Sequence, residues 1–234
     1  MRRSIFLRLL FAVVVTSVVL YSFNHLYSKK SDEQEAKENR VTLAEGKSPP
    51  LHVAPSIELF EGFNNETGTN RLIVPNVVRY IRFNRVNFSF VDYVCIKSAW
   101  RNQRPDAVYF HTNVAAFEGV YWQRLLDEPD LGQRIHVEPI ELPSEVFGQP
   151  LSTNWRVWHG SDVARIRMMM KYGGIYLDND MYVVNSLDKY RHMEIAMGWD
   201  EGQFLGSQVI IAHPKARFLP LWLDTYREYH ADKW

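Results

Sequence analysis

The residues of this chain best equipped for chemistry are the acids of Asp178-Asn179-Asp180, which follow the apolar run Ile175-Tyr176-Leu177. Side chains of an extended segment alternate, so carboxylates two positions apart face the same way and can approach one cation together. A hard divalent cation held by few protein oxygens keeps positions open for phosphate oxygens, and it neutralises a departing diphosphate. Asp178 and Asp180 are therefore candidate ligands of a hard divalent cation, or of such a cation and the group it carries. A calcium loop beginning at Asp178 is excluded, because its sixth position would be Val183 instead of Gly and its twelfth Lys189 instead of Glu. An Asp-x-Asp triplet in any surface turn would look the same, so the pair alone does not name a reaction.

A second pair lies upstream. Asp162 and Arg165 are three residues apart, which on a helix puts them on one face, where a guanidinium can orient a carboxylate; an ordinary surface ion pair has the same spacing. The elements that must position these groups follow from the local pattern. Ser161 is expected to cap a helix through Val163 to Tyr172, Gly173-Gly174 to end it, and Ile175-Tyr176-Leu177 to run as a strand that delivers the acids at its end. Trp158 and His159 stand just before the expected cap, within reach of a pocket, although a lone His is more often structural. Met168-Met169-Met170 reads as core.

Further strands are expected among the short β-branched runs at Leu72–Val74, Val77–Ile81, Phe88–Ile96, Ala107–Thr112, Ile135–Ile140 and Ser207–Ala212. Helices are expected at Ala115–Leu126, where Phe117, Val120, Tyr121 and Leu125 fall at helical spacing, and at Phe218–His230 after a His213-Pro214 turn. Strands alternating with helices argue for an α/β layer fold.

The 234 residues carry 27 basic and 27 acidic side chains, a balance that gives no attraction for nucleic acid. Aromatic residues make up 14%, with seven Trp, most of them expected in the core. Cys95 is the sole cysteine, so no intrachain disulfide is possible and a buried thiol is expected. At the start, Arg2, Arg3 and Arg8 precede Leu9–Tyr27, an uncharged stretch long enough to cross a bilayer core of roughly 30 Å. A cleaved signal peptide is disfavoured, since Val18-Val19-Leu20-Tyr21-Ser22 offers no Ala-x-Ala site. The expected layout is a cytoplasmic tail at 1–8, a signal-anchor at 9–27, a polar stem at 28–70 and a globular domain at 71–234. Asn65 and Asn87 head sequons that would be glycosylation acceptors if the domain is lumenal.

The combination Ser161-Asp162-x-x-Arg165 with Tyr172-Gly173-Gly174-Ile175-Tyr176-Leu177-Asp178-Asn179-Asp180 resembles the signature of the DXD-containing sugar transferases of glycosyltransferase family 32. That group includes α1,4-galactosyltransferases and fungal mannosyltransferases, and its core is similar to that of the glucosylating bacterial toxins. The resemblance is specific over Trp155–Leu187 and looser over Leu72–Asn113. It implies a GT-A-like fold, a Rossmann-like mixed sheet with flanking helices, behind an N-terminal transmembrane helix in the Golgi membrane. It also implies metal-dependent transfer, with retention, from a nucleotide-sugar donor to a glycan or glycolipid. By the same resemblance Asp180 ligates Mn²⁺ or Mg²⁺, and Asp178 contacts the nucleotide ribose and donor sugar or the metal. Asp162, Arg165 and Tyr176 flank the donor, and Trp199 and Asp200 lie on the acceptor side. No catalytic nucleophile is assigned.

The chain departs from the family in two places. Arg79-Tyr80 replaces the usual His-Gln of the first strand, leaving nucleotide contact open there, and the extension that family members carry past 218–230 is missing, so an incomplete C-terminal end is expected. Two other readings remain open at the level of sequence: a non-catalytic nucleotide-sugar or glycan-binding module, and a metal-dependent nucleotide-sugar hydrolase.

Overall fold

Among the described residues six strands form one mixed sheet, which runs from Ile135–Pro139 (β3) through Ala107–Thr112 (β2), Val77–Arg82 (β1), Gly174–Leu177 (β6) and Gly206–Ala212 (β8) to Ile195–Gly198 (β7). The computed structural model describes residues 60, 63–64, 66–198 and 205–231. β1 pairs in parallel with β2 and with β6, and β2 with β3, whereas β8 runs antiparallel between β6 and β7. A small hairpin, β4 (Glu145–Val146) with β5 (Gln149–Pro150), stands apart. The helices are α1 (Phe90–Gln103), α2 (Val120–Leu126), α3 (Arg156–Tyr172) and α4 (Phe218–Asp224). A mixed α/β sheet with flanking helices is the architecture expected above.

Strand alternation sends neighbouring side chains to opposite faces, and both faces are covered. Val78, Tyr80, Val108, Phe110, Ile175 and Leu177 pack on one side with Ile96, Ala99 and Trp100 of α1 and Trp122 and Leu125 of α2. Ile81, Tyr176, Ile210 and Ala212 pack on the other with Ala164, Met168 and Met169 of α3 and Leu219 of α4. Met168 and Met169 are thus core, as expected. A third cluster, with Val163, Ile166, Leu223, Tyr226 and Tyr229, fixes the back of α3 to the C-terminal segment.

Four expectations are corrected. Phe88–Ile96 is no strand: Ser89 and Asp92 form a reciprocal capping box that starts α1, and Asp92, Cys95, Ile96, Ala99, Trp100 and Gln103 are buried at helical spacing. Cys95 is buried as expected, but on a helix. Leu72–Val74 is not a strand either, since Ile73 and Val74 donate to the single carbonyl of Arg191. The helix expected from Ala115 begins only at Val120, behind Gly119 at φ 95°. The last helix ends at Asp224 and tightens into a 3₁₀ turn at Thr225–Glu228.

The end of α3 behaves as expected. Gly173 (φ 62°) and Gly174 (φ 104°) adopt backbone angles that favour glycine. A Cβ would lie 2.5 Å from Pro214 Cδ at the first and 2.6 Å from the Val77 carbonyl oxygen at the second.

Phe60 is buried, and Thr69 donates to the His192 carbonyl, so parts of 60–70 pack on the domain. The expected tail at 1–8 and membrane span at 9–27, and with them Asn65, Trp199 and Asp200, lie outside the described residues. Among the described residues no helix is long and apolar enough to cross a membrane.

Candidate functional site

β1 and β6 run in parallel and end together, and β8 enters the sheet beside them, so the C-terminal ends of the first two meet the N-terminal end of the third. Asp178 leaves β6 here, its N–H donating to the Gln208 carbonyl at 2.8 Å. The acids do not sit in an extended segment as the alternation argument assumed. Asn179 and Asp180 form a turn, closed by the Met181 N–H on the Asp178 carbonyl at 3.1 Å. The reason is that the pairing of β6 with β1 stops at Tyr176 and with β8 at Leu177. Asp178 is half-buried and Asp180 exposed.

Arg165 organises the buried side of this turn. It is 7% exposed, and its Nη2 lies 3.2 Å from Asp162 and 3.4 Å from Asp178. Its Nη1 donates to the Ser207 carbonyl at 3.1 Å and to Ser207 Oγ at 2.5 Å, and the guanidinium rests over the Tyr176 ring. The Tyr176 hydroxyl donates to Asp178 Oδ1 at 2.5 Å. The structure therefore brings together Asp162, Arg165, Tyr176 and Asp178, drawn from α3 and β6, and adds Ser207 from β8. Burial pushes the Asp178 carboxyl up, with Asp180 and Asp162 adding to that push and Arg165 and Tyr176 opposing it. Burial likewise lowers the Arg165 guanidinium, but the neighbouring Tyr176, Asp178 and Asp162 outweigh it and leave the pKa above its ordinary value.

The helix carrying Asp162 and Arg165 starts earlier than expected. Its N-cap position is Trp155, and Ser161 lies inside α3, donating back to the Val157 carbonyl at 2.6 Å. His159 is buried, with Nδ1 2.6 Å from the Tyr229 hydroxyl, which is the structural role a lone His usually has. Trp158 is exposed and its ring meets that of Trp155. Arg79 does not face the turn. Its Nε donates to the Gly173 carbonyl at 2.9 Å, and its guanidinium lies between the Tyr109 and Tyr172 rings, at the opposite end of β6. Tyr80 stacks on Phe110 in the core.

Several residues beside the site were not found by sequence reasoning. Tyr226, on the turn after α4, is buried close to Asp162 and Arg165; burial and then the Asp162 charge push its phenol far up. On the other side, Arg82 at the end of β1 pairs bidentately with Asp92 at 3.0 and 3.1 Å and reaches Asn179 Oδ1 at 3.4 Å. The Ser89-x-x-Asp92 capping signature was the one available signal for this arrangement.

Among the described residues no three His, Cys, Asp or Glu side chains gather as a self-sufficient metal cage. The donor set fits an ion that takes one or two carboxylates and completes its shell with ligand phosphates and water, since an exposed Asp180 and a half-buried Asp178 flank a turn with excess negative charge.

Residues 91–196 match the family described as glycosyltransferase sugar-binding region containing DXD motif. Glucan organizing enzyme 1 of Cryptococcus neoformans var. grubii serotype A (strain H99) is 26% identical over 183 residues, covering 70% of this chain and 47% of the relative. An uncharacterized protein of Arabidopsis thaliana is 29% identical over 108 residues, covering 45% of this chain and 16% of the relative. The chain thus spans less than half the length of these curated relatives. Among solved structures, galactosyltransferase LgtC in complex with donor and acceptor sugar analogs is similar at 14% identity and a TM-score of 0.39, covering 66% of this chain and 67% of that one. PaToxG glycosyltransferase is similar at 17% identity and a TM-score of 0.43, with 68% and 64% covered. The similarity to the DXD-containing glycosyltransferase sugar-binding region thus falls on residues 91–196, which hold nearly all of α1, the whole of α3 and β6, and the Asp178–Asp180 turn.

Proposed function

We propose that this chain transfers a sugar from a nucleotide-sugar donor to a hydroxyl of a glycan or glycolipid, with a divalent cation at Asp178 and Asp180. The observation that carries the reading is the Arg165 network. One buried guanidinium ties Asp162, Asp178 and Ser207 together at the rim where β1, β6 and β8 meet, immediately beside a turn that offers an exposed carboxylate. Taking these charges out of water carries a desolvation cost that their pairing offsets only in part, and ionisable groups perturbed by burial together with specific charge partners are candidates for a functional site.

The roles follow from position. Asp180 and Asp178 would hold Mn²⁺ or Mg²⁺, which when bound supplies charge neutralisation for the diphosphate leaving group. Arg165 fixes the direction of Asp178 and Asp162, leaving carboxylate oxygens to accept from hydroxyls of the donor. Tyr176 holds Asp178 Oδ1 and so chooses which carboxylate edge faces outward. Preorganised charges of this kind need no protein nucleophile, because positioning and electrostatics suffice for front-face attack by an acceptor hydroxyl. Retention of anomeric configuration rests on the family resemblance. A Golgi type II placement, with the domain lumenal, rests on Arg2, Arg3 and Arg8 ahead of the apolar Leu9–Tyr27. Asn87 is exposed, as an acceptor sequon requires, and Trp199 and Asp200 remain the proposed acceptor-side pair.

The test is nucleotide release from a panel of UDP- and GDP-sugars, with Mn²⁺ and then with chelator, in the presence and absence of mixed glycan and glycolipid acceptors. Metal-dependent release that an acceptor stimulates is expected, and Asp180→Ala should abolish it with an unchanged melting temperature, since Asp180 is exposed. Normal turnover by Asp180→Ala in chelator would refute the reading. Free sugar released equally with and without acceptor would identify a hydrolase instead, and nucleotide binding without consumption a binding module.

A further inference from the structure

The middle residue of a surface Asp-x-Asp turn has no reason to be buried or bonded, yet here both ends of the Asn179 amide are used inward. Nδ2 donates to the Ile81 carbonyl at 2.8 Å, and Oδ1 accepts from Arg82 Nη1 at 3.4 Å. Arg82 is 3% exposed, with both terminal nitrogens bonded and the buried Nε without a hydrogen-bond partner among the described residues. Asp92 takes it bidentately, the Asn87 carbonyl accepts from Nη2, and the guanidinium sits over the Phe88 ring at 4.1 Å. Asp92 is itself fixed by the Ser89 N–H at 2.6 Å, and the Arg82 carbonyl accepts from Thr112 Oγ1 at 2.6 Å. A chain of bonds thus runs from the N-terminus of α1 and the ends of β1 and β2 into the turn.

We infer that Asn179 is a strap across the end of β1 and that Arg82 is a positioning residue, which through this strap sets the direction of the two acids toward the cation. The role for Arg82 rests on the proposed metal site; the strap does not. Without the strap Asp178 is still tied to the sheet by its N–H on Gln208 and by Tyr176 and Arg165 on its carboxylate, whereas the Asp180 end of the turn keeps the Met181 N–H on the Asp178 carbonyl, a bond internal to the turn. Two carboxylates that must share one ion cannot then keep a common direction at low entropic cost. Lysine in place of Arg82 cannot serve, because a single ammonium cannot hold both Asp92 oxygens in fork geometry while reaching Asn179. Aspartate at 179 would keep an acceptor for Arg82, lose the donor to Ile81, and add a third charge to the turn.

The experiment uses the full chain and the variants Asn179→Ala, Arg82→Lys and the double replacement, with two readouts. Amide hydrogen exchange at Asp178 and Met181 reports the strap; Mn²⁺ affinity in the presence of UDP, followed by the electron paramagnetic resonance of free Mn²⁺, reports what the strap serves. Asn179→Ala removes only a half-exposed side chain and keeps the fold, which guards against an Arg82 variant that unfolds. Both single variants are expected to exchange these amides about tenfold faster and to weaken Mn²⁺ about tenfold, with the double variant no worse than the poorer single one. Unchanged amide exchange in Asn179→Ala overturns the strap. Faster exchange with wild-type Mn²⁺ affinity overturns the positioning role, as do losses that multiply in the double variant. A parent chain that binds no Mn²⁺ at all overturns the metal site and Arg82's role together, while the exchange arm still decides the strap.

Discussion

Arg165 Nη2 stands 3.4 Å from Asp178 Oδ1, the same oxygen that takes the Tyr176 hydroxyl. A helix residue thereby controls an acid thirteen positions later in the chain, beyond a helix end, a double-glycine turn and a strand. Replacement by lysine keeps the charge but cannot hold Asp162, Asp178 and Ser207 at once. Arg165→Lys is therefore expected to weaken nucleotide-sugar binding by about a hundredfold, roughly 2.7 kcal/mol, with a modest loss of melting temperature. Calorimetric titration checks this, and parent-like affinity in the variant would remove Arg165 from the site.

The His159–Tyr229 bond lies behind α3, and the Tyr229 hydroxyl also accepts from the Ser152 N–H at 3.0 Å. Tyr229→Phe deprives both groups at little cost in shape, so a destabilisation of about 2 kcal/mol is expected in urea unfolding. Nucleotide affinity should stay as in the parent. A variant that lost affinity without losing stability would move Tyr229 from the scaffold into the site.

Burial, followed by the Arg79 and Lys171 charges, brings His111 down to about 4, and the Glu138 carboxylate 3.5 Å from Nδ1 does not restore it. Because the folded pKa lies below the unfolded 6.5, this contribution to stability is complete above 6.5 and is lost as pH falls toward 4. The loss amounts to roughly 3 kcal/mol, and His159 and His213 shift the same way and add to it. Urea midpoints measured from pH 7 to pH 4 should fall, and His111→Gln should flatten the decline. An equally steep decline in the variant would locate the acid sensitivity elsewhere.

Ser161→Ala separates two descriptions of α3. Loss of an N-cap costs about 1 kcal/mol, whereas removing an interior Ser that donates to the carbonyl four residues back changes stability by a few tenths and in the favourable direction. Thermal melting of the variant is expected to match or exceed the parent, and a drop of several degrees would contradict the interior placement.

The segment 161–180 was largely readable because its features are local. The glycine pair forces its own backbone, Asp162 and Arg165 meet by helical spacing, and an acid after a short apolar run marks a strand end. Two expectations failed there: Ser161 lies inside α3 and does not cap it, and the strand does not continue through Asp180, a matter of where β1 and β8 stop pairing. Phe88–Ile96 failed for a different reason. Its dense β-branched and aromatic residues fit either period, and the decision falls to the Ser89–Asp92 cap and to Trp100 and Gln103 further on. Arg82 and Tyr226 could not be joined to the site from sequence, because the pairing of β1 with β6 and the packing of the segment after α4 on α3 bring them there, and for Asp92 the Ser89 capping signature was the one hint. Arg79 shows the converse, since its place in the first strand said nothing of which end of the sheet its side chain serves.

The pinch at Gly173 and Gly174 has a further effect on the acids that it never touches. β6 is a short ruler whose zero mark is clamped between Val77 and Pro214, and Asp178 stands at its other tip. Any bulk added at the clamp would slide the ruler along its neighbours and change how far the carboxylates project. The tolerance of the site to substitution is therefore decided on the far side of the sheet, by residues with no functional groups of their own.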